Sequence, residues 1–150
     1  MPPGYVPEAL NTLIMAKKID KSGIYIDAQN LFRLLYTAQF EMDKRDRPVI
    51  VTRMFDHTEA VISHFALAFR EDNLEDKRRH VDKMQAHFEA LKMEIRMAVD
   101  FEMFKKQTTI NGVRELIVRI SEGMDKWRNS MVLVNYPLGK SDAQAASSVP

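Results

Sequence analysis

Residues 81–98 read VDKMQAHFEALKMEIRMA, and this stretch decides the fold. Its apolar residues recur at alternating steps of three and four, the heptad spacing of a helix packed at a shallow angle against its neighbours. The buried stripe that this spacing predicts consists of Val81, Met84, Phe88, Leu91, Ile95 and Ala98. The stretch contains no glycine or proline, so we expect one long helix from about Leu74 to Asp100.

Three further helical patterns accompany it. The first runs from about residue 24 to 42, and the second from Pro48, a residue suited to a first helical turn, to about residue 70. The fourth is expected to begin at a cap formed by Thr108 or Thr109 and to continue to about Met131. Short connections favour an up-down-up-down order. We therefore predict an all-α protein, an antiparallel up-down four-helix bundle spanning residues 23–133.

The two ends of the chain differ from this central part. Residues 1–22 are predicted to form an N-terminal tail or arm, with one amphipathic turn at Leu10, Leu13 and Ile14 that could dock on the bundle or on a neighbouring subunit. Residues 134–150 are rich in Ser, Ala and Gln and are predicted to form a flexible C-terminal tail.

Two helices carry more apolar residues than one stripe needs. The extra residues are Phe32, Tyr36 and Phe40 in the first helix and Leu116 and Val118 in the fourth. They indicate either a wide core or a second buried face against a neighbouring subunit, since large apolar patches usually mark interfaces. We predict oligomerisation from this surplus.

Composition excludes several classes of protein. Hydrophobic residues make up 45% and charged residues 29% of the chain, which is typical of a folded globular protein. Cysteine is absent, so disulfides, thiolate metal sites and cysteine nucleophiles are excluded. The chain has no phosphate-binding glycine loop, no HExxH and no GxSxG motif, so we predict a protein that is not an enzyme and needs no cofactor. Without a signal peptide or a membrane-length apolar run, a cytoplasmic location is expected.

The four histidines fall into two pairs, each with a spacing of seven residues. His57 and His64 lie on the second helix, and His80 and His87 lie on the third. In an antiparallel hairpin His57 would approach His87 while His64 approaches His80. Such pairs could hold zinc with help from a carboxylate such as Glu94. Heptad spacing also places ordinary boundary residues on one flank, and histidines two turns apart are too distant to share one ion, so we predict no metal site.

Charge is polarised although the net charge is only +1. Residues 43–53 carry four basic and two acidic residues, and residues 105–131 carry six basic and three acidic ones, whereas residues 54–104 carry seven basic and eleven acidic ones. In an up-down bundle the first and third connections lie at the same end. The candidate nucleic-acid-binding residues are therefore Lys44, Arg45, Arg47, Lys105, Lys106 and Arg114. The alternative interpretation is an ordinary solvated surface.

One pair of charges stands in an apolar neighbourhood of the third helix. Arg96 and Asp100 are one turn apart, and we expect them to form a structural ion pair, with Arg96 also able to reach an adjacent subunit.

Four short stretches together resemble one known family. Residues 42–47 (MDKRDR) resemble its Met-Pro-basic-x-x-basic linker, and Lys77 corresponds to a lysine that opens its third helix. Residues 91–101 (LKMEIRMAVDF) are similar to its Leu-Lys-x-x-Leu-Arg-Leu-Ala-x-Asp-Leu signature, and residues 127–130 (WRNS) to its closing Trp-x-x-Ser. The family comprises the accessory variability proteins of diversity-generating retroelements and the related four-helix-bundle proteins encoded in intervening sequences of bacterial ribosomal RNA.

The resemblance implies a homopentameric barrel of bundles with a basic surface. In retroelement members the barrel binds RNA and the element's reverse transcriptase. The resemblance thus implies an accessory protein with RNA and a reverse transcriptase as partners. The alternative is a structural or protein-interaction bundle of the intervening-sequence type, without a nucleic-acid role.

Overall fold

The computed structural model describes residues 22–135, and the surroundings of side chains for residues 22–131. The predicted arm at residues 1–22 and the predicted tail at residues 134–150 lie almost wholly outside these described residues.

The described chain is an all-α four-helix bundle, as predicted. The helices are α1 (Gly23–Ala38), α2 (Thr52–Arg70), α3 (Leu74–Asp100) and α4 (Gln107–Asn135). A 3-10 turn, Gln39–Glu41, extends α1, and a π-helical turn, Arg47–Val51, leads into α2 with Pro48 in its first turn. No β-strand occurs between residues 22 and 135. The bounds of α3 agree with the prediction, whereas α4 begins slightly earlier than either threonine.

The helices pack unequally. α2 has its most extensive contact with α3, α1 packs against α4 and α2, and α3 and α4 make fewer contacts with each other than these neighbouring pairs do. One continuous core lies between them. All six residues of the α3 stripe are buried. The predicted stripe of the first helix is buried as well, at Leu31, Leu35 and Ala38 on α1 and at Met42 just after the 3-10 turn. The heptad pattern therefore identified the core-facing side of these helices correctly.

The apolar surplus on α1 and α4 divides into two groups. Phe32 packs against Phe55 of α2 with ring centroids 5.0 Å apart, and Leu116 packs against the core. Tyr36, Phe40 and Val118 remain more than half exposed, and Phe40 reaches 63%. A wide core accounts for the first group, whereas the second lies on the surface of the single chain.

The ends of α3 show why the helix starts and stops where it does. Asn73 precedes it, and its side chain accepts a hydrogen bond from the backbone N–H of Asp76 at 3.1 Å. At the other end Glu102 adopts a φ of 56°, and the N–H of Met103 donates to the carbonyl of Ala98 at 2.8 Å. This left-handed turn closes the helix and directs the chain into α4.

Candidate nucleic-acid interface

The two connections predicted to share an end of the bundle do so, and Glu41 joins them. Glu41 lies in the turn that extends α1. Its Oε1 accepts hydrogen bonds from the backbone N–H groups of Lys105 at 3.0 Å and Lys106 at 3.2 Å, and its Oε2 accepts one from the hydroxyl of Thr109 at 3.0 Å. One carboxylate thus holds the α3–α4 connection against the end of α1.

The same contacts explain where α4 begins. The first N–H groups of a helix lack partners within the helix, and its N-terminus favours a negative charge. Glu41 supplies this charge from another helix, so α4 starts at Gln107 without a threonine cap. The predicted cap at Thr108 or Thr109 was therefore wrong, because both threonines lie inside the first turn of α4, where Thr109 donates its hydroxyl proton to Glu41.

Arg47 is engaged within the fold. Its Nε donates to the carbonyl of Gln39 at 2.8 Å, its Nη2 donates to the carbonyl of Phe40 at 3.3 Å, and its guanidinium lies 5.6 Å from the centroid of the Phe40 ring. These carbonyls belong to the C-terminal end of the α1 region, which favours a cation. Arg47 therefore stabilises the first connection, and its guanidinium has fewer donors left for a ligand.

Four other cations remain on this surface, and we call them the linker cations: Lys44, Arg45, Lys105 and Lys106. Lys44 and Lys106 are exposed and belong to no ion pair within residues 22–131.

The other two linker cations have loose contacts. The side chain of Arg45 is 84% exposed, and its Nε lies 3.8 Å from Asp46. Nζ of Lys105 donates to the carbonyl of Glu102 at 3.0 Å and lies 3.9 Å from Asp43. Exposed pairs of this kind contribute little free energy, so all four linker cations are available to phosphate.

Acidic residues lie among the linker cations. Asp43 and Asp46 flank Lys44 and Arg45 in the chain, and Glu102 stands just before Lys105. One chain therefore presents only a weakly basic surface here. Strong binding of a polyanion would need this surface to be repeated by symmetry.

Arg114 occupies a different surface from the linker cations. It lines a groove of about 560 Å³ between α3 and α4, together with Lys92 and Arg96, over a floor formed by Ile95, Val99, Ile117 and Val118. None of the linker cations lines this groove. The expected extension of the linker surface through Arg114 stays a prediction.

Arg96 and Asp100 also line this groove, but the ion pair predicted for them does not form. Both residues are exposed, and no contact of 4.0 Å or less joins their charged groups among the ion pairs of the described residues. Neither side chain is confined by the core, so the cost of ordering two long side chains is not offset.

A second basic cluster lies at the opposite end of the bundle. Lys77, Arg78 and Arg79 are in the first turns of α3, about 35 Å from its C-terminal end at 1.5 Å per residue. Arg79 is paired with Glu75 at 3.1 Å and with Asp76 at 3.3 Å. This cluster offers a control of similar charge and different location.

The histidines pair as predicted. Ring centroids of His57 and His87 are 5.5 Å apart, and those of His64 and His80 are 6.0 Å apart. His64 also stacks on His87 at 5.5 Å, a contact that the sequence did not predict. The part of the chain that is described contains no group of three or more histidine, aspartate or glutamate side chains arranged to hold a metal ion.

Comparisons with known proteins give no family for this chain. Neither a scan against protein-family models nor a search of curated proteins returns a match. Of the helices between residues 22 and 135, none has both the length and the apolar character required to cross a membrane.

Proposed function

We propose that this protein is a non-catalytic, oligomeric accessory protein that binds RNA through the linker cations and also binds a partner protein, the reverse transcriptase of a diversity-generating retroelement. The observation that carries the proposal is the meeting of the two connections at Glu41, because it gathers cations from residues 44–45 and 105–106 on one surface. The resemblance of four sequence stretches to the accessory variability proteins supplies the RNA and the reverse transcriptase as partners.

Exposed apolar side chains support the oligomeric part of the proposal. Met93 and Met97 on α3 and Phe101 directly after it follow each other at steps of four and are exposed, with Phe101 at 69%. Tyr36 on α1 and Phe40 in the 3-10 turn that extends it form an exposed aromatic pair with centroids 6.0 Å apart. Burying these side chains against other copies of the chain would remove apolar surface from water.

The oligomer should be a homopentamer if the family resemblance holds. Light scattering coupled to size-exclusion chromatography is then expected to give a mass near five times 17.4 kDa. As a control, Phe40→Ser together with Phe101→Ser should reduce the mass, because the two rings lie outside the core and their loss leaves the bundle intact. A wild-type monomer at micromolar concentration would refute the oligomeric part.

RNA binding is tested by fluorescence anisotropy with a labelled single-stranded RNA of about 20 nucleotides at low salt. We expect saturable binding that weakens as salt is added, since cations that contact phosphate release counterions. If the anisotropy does not rise, the alternative function applies: a protein-interaction bundle that uses its exposed apolar residues and has no nucleic-acid role.

A further inference from the structure

The histidines form one continuous column between α2 and α3. Successive ring centroids along His57, His87, His64 and His80 are 5.5, 5.5 and 6.0 Å apart. The chain contains four histidines, so every histidine belongs to this column. The rings alternate between the two helices, and the column therefore runs along the most extensive helix–helix contact of the bundle.

Two charged groups of α3 act on the column. At one end, Nδ1 of His57 donates to Oε1 of the buried Glu94 at 2.7 Å. Near its middle, Lys83 adds a positive charge beside His64. Among the described residues, His57 is the histidine that has a hydrogen bond to a carboxylate.

The part of the column farthest from Glu94 has fewer hydrogen-bond partners. Nδ1 of His64 and Nδ1 of His80 are buried and have no hydrogen-bond partner among the described residues. The rings of His64 and His87 are nearly parallel, with 12° between their planes, so their nitrogens do not converge on a common point where an ion could sit. Positive charge on two adjacent rings at this spacing is repulsive, and neither ring is hydrogen-bonded to a carboxylate among the described residues.

The titration of His64 agrees with this geometry. Burial lowers the pKa of His64 below its ordinary value of 6.5, and His87, His80 and Lys83 lower it further. The unfolded chain therefore binds this proton more tightly than the folded chain does. The contribution of His64 to stability is complete above about pH 6.5 and is lost as the pH falls toward its lower folded value.

We propose that the histidine column is an acid-sensitive clasp, which holds α2 against α3 while the stacked His64 ring is neutral and loosens this contact when that ring becomes protonated. The clasp is independent of RNA binding, since it lies on α2 and α3 away from the linker cations. Mildly acidic conditions, below about pH 6.5, would weaken the contact between the two helices along the column.

Thermal unfolding at two pH values tests the clasp. The wild-type Tm is expected to fall by about 5 °C or more between pH 7.5 and pH 5.5, a window in which no other side-chain type ordinarily titrates. His64→Gln removes the ring that contacts both His80 and His87, so less than half of this decrease should remain. Lys83→Gln, which keeps all four rings, should retain most of it.

Two results would overturn the proposal. The first is an equal decrease of the Tm in wild type and in His64→Gln. The second comes from NMR titration of the four histidine Cε1–H signals in the wild-type protein, and it also decides the matter if His64→Gln does not fold. The expected midpoint of His64 lies below 6.5. A midpoint at or above 6.5 would mean that the column tolerates the charge.

Discussion

Replacing Lys44, Arg45, Lys105 and Lys106 together with glutamine should lower the affinity for single-stranded RNA about 100-fold at ~0.1 M salt. Each phosphate contact on a single strand contributes about 0.7 to the slope of log K against log salt, so four lost contacts account for two to three orders of magnitude. The four side chains are exposed and outside the core. Helicity and oligomer mass should therefore stay unchanged, and anisotropy measures the affinity directly.

The control for this variant is a neutralisation at the far end of the bundle. Glutamine at positions 77, 78 and 79 removes three cations whose neighbours Glu75 and Asp76 already pair with Arg79. Its RNA affinity should remain within about threefold of wild type, because these cations lie at the opposite end of the bundle from the linker cations. Loss of binding in the control variant, with binding retained in the linker variant, would show that RNA binds near residues 77–79 and not at the linker cations.

Replacing Glu41 with alanine should destabilise the fold by about 2 kcal/mol. The change removes the carboxylate that accepts hydrogen bonds from two backbone N–H groups and a buried hydroxyl. It also removes a negative charge from the N-terminus of α4. Urea unfolding at pH 7 measures the free energy directly.

Glu41→Gln is the matched variant for this prediction. Its side-chain oxygen can still accept a hydrogen bond, but it carries no charge, so we expect it to lose about half as much stability as alanine. Unfolding free energies of Glu41→Ala within about 0.5 kcal/mol of wild type would contradict the structural role of this carboxylate.

The fold was predictable because the sequence marks both the buried sides of the helices and their ends. Heptad spacing identified the buried side of α3, and the turn residues around Pro48 and Asn73 agree with the helix starts that the structure shows. The histidine pairs were predictable from the spacing as well. Two residues seven apart on α2 and two residues seven apart on α3 can face each other across an antiparallel hairpin. The additional contact between His64 and His87 depends on the relative shift of the two helices, which spacing alone does not determine.

The candidate interface was predictable only in outline. An up-down order already places both connections at one end, but the role of Glu41 rests on partners 64 to 68 residues away. A signal was present, because a carboxylate at the C-terminal end of a helix opposes the helix dipole and needs a positive or donating partner elsewhere. The engagement of Arg47 with the end of α1 also depends on how the connection folds back.

Two charged pairs show what sequence spacing does not determine: one predicted ion pair is absent, and one that was not predicted is present. The pair Arg96–Asp100 satisfied the spacing rule, yet both side chains remain exposed and unjoined within the described part of the chain. Asp27, by contrast, lies on the core side of α1 and is 6% exposed, and Nη2 of Arg119 on α4 is 3.2 Å from its Oδ1. Sequence spacing within one helix does not reveal which charge another helix will reach.

The most direct test of RNA binding at the linker cations compares salt dependence in two proteins. The slope of log K against log salt is measured by anisotropy for wild type and for the variant that lacks Lys44, Arg45, Lys105 and Lys106. We expect a slope that is smaller in magnitude by about 3 in the variant, close to four contacts at 0.7 each. Equal slopes, or no salt-dependent binding in wild type, would contradict RNA binding at the linker cations.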